Sequence, residues 1–171
     1  MDIQHPTSNI QSNLPQDSKI WIFQSSRNFS EDEISEIEKT FDDFMREWNA
    51  HGTALTGAYA IPYDRFIVVA VDENKAQASG CSIDSMTRII KALEEKYNFD
   101  LLNRMLVSYK IGEEITTLPL SEFKQKVKEN QIPDEASVFH NGITRLSDFE
   151  EGWESPLRES WVKHLLQPGM N

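Results

Sequence analysis

The sequence predicts an α+β fold with a ferredoxin-like split βαβ core over residues 19–111 and a C-terminal α/β extension over residues 112–171. Three observations favour this fold. The predicted elements follow the order strand, helix, strand, strand, helix, strand, which is that of the split βαβ arrangement. The two most apolar strands, residues 19–24 and 65–71, fall where this arrangement has its inner strands. The length of 171 residues fits one domain, which we expect over residues 19–171.

The first strand and the first helix have clear local signals. Residues 19–24, KIWIFQ, are apolar on both alternating faces, as expected for an inner strand. Ser30 begins a helix, and Glu33 completes a capping box three residues later. The apolar positions of this helix recur at spacings of three and four residues and comprise Ile34, Ile37, Phe41, Phe44 and Trp48. The helix is expected to run to about Ala50.

The remaining core elements follow in the predicted order. Residues 53–61 and 65–71 read as two strands joined by the turn residues 62–64, Pro-Tyr-Asp. Gly80-Cys81-Ser82 leads into a second amphipathic helix, and residues 105–111 form the fourth strand. Together these elements complete the split βαβ core.

The last third of the chain has shorter signals. It is expected to contain a helix over about 120–130 and the turn of a hairpin at Asn141-Gly142. Because the core helices cover only one sheet face, the other face needs a cover. Either this segment or a second subunit of a homo-oligomer, such as a dimer, would provide it. The segment ends in an aromatic tail with Phe149, Trp153 and Trp161.

Composition and charge limit the location and the partners. Residues 1–18 are polar and are expected to form a disordered arm without a signal peptide. No run approaches the roughly 20 apolar residues of a membrane helix. The only cysteine, Cys81, cannot form an internal disulfide, which agrees with a cytoplasmic location. The net charge of −11 repels nucleic acids and anionic membranes, so neither is expected as a partner.

Several nucleotide and metal motifs are missing from the sequence. There is no G-x-x-x-x-G-K loop, no G-x-G-x-x-G, no H-E-x-x-H and no C-x-x-C. The four histidines are scattered without a metal-ligand spacing. We therefore expect no P-loop ATPase chemistry, no metal and no cofactor.

The segment over residues 79–85, SGCSIDS, is the best candidate for a ligand or anion pocket. Free amide groups at a helix start attract anions, and small residues leave room beside the backbone. The loop after the first helix, residues 48–52, emerges at the same end of the predicted sheet. The candidate ligand-binding residues are Trp48, Ser79, Gly80, Ser82 and Ser85. The primary functional hypothesis is a cytoplasmic binding or interaction protein with this pocket.

The alternative hypothesis is a thiol-dependent enzyme. The helix start favours a thiolate at Cys81, and His51 at the same end of the sheet is a candidate general base, with Asp84 as an orienting group. The same residues also have plainer structural readings. A lone cysteine often behaves as a small buried apolar residue, Ser82 suits an N-cap, and His51 suits a helix end.

Three segments resemble a family of short, uncharacterised bacterial proteins whose members are often labelled "ABC transporter ATPase". The segments are residues 48–52, 79–85 and 156–161, and Gly-Cys-Ser-Ile-Asp at residues 80–84 is the most specific part. The resemblance covers most of the chain after the arm and implies no established activity, cofactor or catalytic residue. The label conflicts with the sequence, which lacks both the Gly-Lys loop and the Ser-Gly-Gly signature of such ATPases.

Overall fold

The computed structural model describes Ile10 and residues 14–166, and the following concerns that part of the chain. Four α-helices are present: α1 (Glu31–Glu47), α2 (Gly80–Tyr97), α3 (Leu120–Lys128) and α4 (Leu146–Gly152). The strands are β1 (Lys19–Gln24), β2 (Asn49–Ala50), β3 (Thr53–Ala54), β4 (Thr56–Ala60), β5 (Phe66–Asp72), β6 (Leu106–Ile111), β7 (Glu114–Pro119), β8 (Ser137–Phe139) and β9 (Glu154–Pro156). All strand pairings are antiparallel. The predicted α+β class is confirmed.

The first sheet has the order β1-β5-β4, which agrees with the prediction for the first three strands. All residues of the central strand β5 are buried, because layers of side chains cover both faces of the sheet. Alternation along β1 divides its side chains between these layers. Phe23 packs with α1 and α2, whereas Ile20 and Ile22 face the opposite layer.

The start of α1 agrees with the prediction from the sequence. Ser30 accepts a hydrogen bond from the Glu33 amide, and the Glu33 carboxylate accepts one from the Ser30 amide, which completes the capping box. Arg27 also donates two hydrogen bonds of 2.8 Å to the Glu33 carboxylate. The hydrogen bond from Arg27 is the main reason that the pKa of Glu33 is lowered to about 2.

The fourth strand of the predicted core is not in the first sheet. β6 lies instead in a second sheet with the order β7-β6-β8-β9. The ferredoxin-like topology is therefore not confirmed.

A local hairpin accounts for this difference. β6 and β7 pair along their full lengths from Ile111 opposite Glu114, so only Gly112 and Glu113 form the connection. Gly112 has a φ of 60°, which a tight hairpin turn requires and glycine adopts without strain. The other edge of β6 pairs with β8, so neither edge is left for β1. The sequence prediction missed this turn.

The last third of the chain covers the second face of the first sheet, as one of the two predicted alternatives had it. Phe139, Leu146, Phe149 and Trp153 pack against the layer that contains Ile22. The predicted homo-oligomer is not needed to cover this face and stays a prediction.

The predicted hairpin at Asn141-Gly142 is wrong. The chain does not turn back into a paired strand here but crosses from β8 to the outer edge of β1. There the Ile20 amide donates a hydrogen bond of 3.0 Å to the Thr144 carbonyl. Lys19 and Arg145 form an isolated β-bridge next to it. The segment after Gly142 thus takes part of the edge expected for the fourth strand.

The expected arm over residues 1–18 lies partly outside the described residues, which omit 1–9 and 11–13. Within the described part, Ile10 and Leu14 are buried in the layer that faces Ile20. The apolar side chains of these two residues thus have a layer to pack into, while the disordered arm as a whole stays a prediction. No helix in the described part is long and apolar enough to cross a membrane.

Candidate functional site

The chain between α1 and β4 leaves the helix earlier than the sequence predicted and forms a tight turn. Helix α1 ends at Glu47, short of the expected Ala50. The next residues form a small hairpin in which His51 and Gly52 have φ values of 52° and 84°. The Asn49 side chain stabilises this turn by accepting a hydrogen bond of 3.2 Å from the Gly52 amide. His51 is exposed at its tip.

Trp48 connects the end of α1 to the start of α2. It is buried, and its indole N–H donates a hydrogen bond of 2.9 Å to the Ser82 carbonyl. A Cβ at Gly57 would lie 3.0 Å from the Trp48 ring, which explains the glycine in β4. Trp48 is therefore a core residue that joins the end of α1 to the start of α2.

The small polar residues at the start of α2 bond to the backbone. Ser79, not Ser82, is the N-cap, and the two serines form a reciprocal capping box. Ser85 donates a hydrogen bond of 3.0 Å to the Cys81 carbonyl. A Cβ at Gly80 would meet no neighbour within 4 Å, so close packing does not require a glycine there. These hydroxyls stabilise the helix itself.

A groove of about 400 Å³, here called the α2 groove, lies at this position. Its walls are formed by Phe44, Glu47, Trp48, Asn49, His51, Cys81, Ser82 and Ser85. Cys81 and His51 both line it, and Cys81 is exposed, but no hydrogen bond joins these two side chains. The enzyme hypothesis stays a prediction. The predicted site residues Ser79, Gly80 and Asp84 do not line it, and Asp84 is exposed to solvent.

A second cavity, of about 370 Å³, lies between the two sheets and is here called the inter-sheet cavity. Its apolar lining comprises Ile22, Leu101, Leu106, Val107, Leu120, Phe139 and Trp161. Its polar lining comprises Gln24, Asn103, Arg104, His140 and Asn141, next to Gly142. The cavity occupies the outer edge of β1, where the predicted fold would have had its fourth strand.

Gln24 is the centre of a buried hydrogen-bond network at the cavity wall. Its amide nitrogen donates a bond of 2.6 Å to the Leu106 carbonyl. Its amide oxygen accepts bonds of 2.8 Å from the Ser108 hydroxyl and from the Asn141 amide. Asn141 in turn accepts a bond of 2.9 Å from the Trp153 indole. One polar side chain thus holds segments of both sheets in place.

The network continues away from the cavity to a buried arginine. The Ser108 hydroxyl lies 2.7 Å from the Thr117 hydroxyl, which accepts a bond of 3.0 Å from Arg65. Arg65 is 8% exposed and also donates to Asn28 and to the Ser26 carbonyl. Burial lowers the pKa of Arg65.

Arg104 lies at the rim of the inter-sheet cavity and is exposed. Its guanidinium donates a hydrogen bond of 3.2 Å to the Ile22 carbonyl, and its Cζ lies 5.5 Å from the centre of the Phe23 ring. None of the ion pairs among the described residues includes Arg104. The cavity thus has a cation on its rim that no carboxylate of this part of the chain pairs with.

Metal ligands are not clustered in the described residues, where no group of three or more His, Cys, Asp and Glu could hold an ion. Comparisons with protein-family models, with curated proteins and with solved structures found no match. The resemblance to the bacterial family therefore stays a prediction.

Proposed function

We propose that this protein binds a small molecule in the inter-sheet cavity. The proposal keeps the predicted binding function but moves the site away from residues 79–85. Ligand sites are typically concave, of about 300–1,000 Å³, mostly apolar and lined by a few convergent polar groups. The inter-sheet cavity, at about 370 Å³ with its apolar wall and five polar residues, has these properties.

The single observation that carries the proposal is the ordered polar wall of an otherwise apolar cavity. Gln24 and Asn141 are held by hydrogen bonds from several segments, so their positions are fixed before a ligand arrives. A preorganised site loses less conformational entropy on binding. The α2 groove lacks such a wall, since Ser82 and Ser85 bond to their own helix.

A pair of bulky substitutions tests the location of the site. The probes are phenylacetate and phenylacetamide, followed by ligand-observed NMR. Asn103→Trp places a large ring at the rim of the inter-sheet cavity and should weaken binding at least about tenfold by filling the space. Asn49→Trp adds the same bulk at the α2 groove and should leave binding unchanged. Both asparagines are exposed, so both variants should fold.

Two results would contradict the proposal. Loss of binding in Asn49→Trp but not in Asn103→Trp would assign the site to the α2 groove. Failure of the wild-type protein to bind either probe at millimolar concentration would remove the proposed function.

A thiol-dependent enzyme is the second candidate, favoured by the shared position of Cys81 and His51 in the α2 groove. His51 would accept the thiol proton and leave a nucleophilic thiolate. If so, His51→Ala should slow iodoacetamide alkylation of Cys81 at neutral pH by about tenfold or more. His164→Ala, which removes an exposed histidine outside the groove, is the matched control. Equal rates in the three proteins would eliminate this candidate.

A further inference from the structure

We infer that the inter-sheet cavity selects a small apolar carboxylate, a molecule with an aromatic or aliphatic body and one anionic head group at Arg104. This inference rests on the proposed function, because it specifies the ligand of the same site. It depends on which hydrogen-bonding groups of the cavity wall are already in use.

The acceptor oxygens along the cavity wall already accept hydrogen bonds from the protein. The Gln24 amide oxygen accepts two, and the Ile22 carbonyl accepts one from Arg104. The Asn103 side-chain oxygen accepts a bond of 3.0 Å from the Met105 amide, and that of Asn141 accepts one from an indole. Both lone pairs of the Gln24 oxygen are thus in use, so the central acceptor of the wall is not free for a ligand donor.

Several donors at the same wall are still free within the described residues. The Asn103 side-chain nitrogen donates no hydrogen bond there, and Arg104 uses one N–H of its five. The Ile22 amide adds a third donor, by the alternation of an antiparallel ladder. The Ser25 amide donates to the Arg65 carbonyl on the β5 side of β1, whereas the Ile20 amide donates to the Thr144 carbonyl on the opposite, outer edge. Since amides two residues apart point to the same edge, the Ile22 amide points to the outer edge, where the cavity lies. The wall is thus rich in donors and calls for a ligand with acceptors.

The charge of the cavity supports the same ligand class. The chain has 28 acidic and 17 basic residues, yet no acidic residue of the described part of the chain lines this cavity. Arg104 therefore presents a positive charge without a local carboxylate, in a protein whose overall charge is negative. A guanidinium binds a carboxylate through two parallel hydrogen bonds, which discriminates a carboxylate from its neutral amide. The apolar lining would contact the body of the ligand.

Affinities of matched probes test this inference. Wild-type protein should bind phenylacetate at least about tenfold more tightly than phenylacetamide, since only the carboxylate forms an ion pair with two parallel hydrogen bonds to the guanidinium. Arg104→Gln should remove that preference, because phenylacetate loses an ion pair whereas phenylacetamide loses at most one hydrogen bond. Circular dichroism identical to that of the wild type shows that the variant is folded. Arg104→Lys should restore part of the preference. Arg88→Gln, at an exposed position of α2 outside the cavity, should behave as wild type.

The outcomes separate this inference from the proposed function. If phenylacetamide binds as tightly as phenylacetate, the cavity binds ligands but the carboxylate inference is wrong. If inorganic phosphate binds in the cavity as tightly as phenylacetate does, the apolar body is not recognised and the inference is also wrong. If neither aromatic probe binds, the proposed function fails and the inference fails with it.

Discussion

The α2 groove and the inter-sheet cavity have similar volumes but are built from the sequence in opposite ways. The groove comes from two short segments, residues 44–51 and 81–85, and the hydroxyl groups of the second, Ser82 and Ser85, bond to the backbone at the start of α2. The cavity is lined by side chains spread along the sequence from Ile22 to Trp161. Its central polar residue, Gln24 of the first sheet, forms hydrogen bonds with β6 of the second sheet. The polar side chains of a compact motif, residues 79–85, can thus be occupied by hydrogen bonds within their own helix. Residues that are far apart in the sequence form the better ordered site, the inter-sheet cavity.

The largest effect is expected from Gln24→Leu, which removes the centre of the cavity network. The substitution leaves the buried Ser108 hydroxyl without its acceptor and the Leu106 carbonyl without its donor. Chemical denaturation should show a loss of about 2–4 kcal/mol in the free energy of unfolding. Gln125→Leu, at an exposed position of α3, should change it by less than about 0.5 kcal/mol. Equal effects would mean that the network does not order the cavity wall.

A smaller effect is expected from Trp48→Phe at the α2 groove. The smaller ring still occupies the core but leaves part of the indole space empty, and the buried bond to the Ser82 carbonyl is lost. Together these changes should cost about 1–2 kcal/mol of unfolding free energy. Trp161→Phe is the matched substitution at the cavity, where the indole bond of 3.3 Å to the Phe139 carbonyl is longer and the ring only half-buried. It should cost less. The reverse order would contradict the role of Trp48 as the anchor between α1 and α2.

Local signals in the sequence predicted much of the first half of the fold. The capping box of Ser30 and Glu33 and the apolar run of β5 depend on neighbouring residues, so a single sequence contains them. The partner of β6 was not predictable in this way. Its hairpin with β7 takes one edge of the strand, and β8 takes the edge that β1 would have used. The pairing with β8 joins residues far apart in the sequence, so no local signal indicates it.

The site was less predictable than the fold. Cys81 and His51 were predicted to lie at the same end of the sheet and do line one groove, but Asp84 lies outside it. Gln24, Arg104 and Asn141 share no motif or spacing, so nothing marks them as one site before the chain is folded. The only hint in the sequence was Gln24 itself, a polar residue that directly follows the apolar run Ile-Trp-Ile-Phe of β1.

Mapping the contact surface of the neutral probe phenylacetamide by two-dimensional ¹H–¹⁵N NMR tests the central claim most directly, without depending on the charge of the ligand. The amide signals of Ile22, Leu106 and Gly142 should shift on titration, while those of His51, Cys81 and Ser85 stay in place. Shifts confined to the second set would show that the α2 groove, and not the inter-sheet cavity, is the binding site.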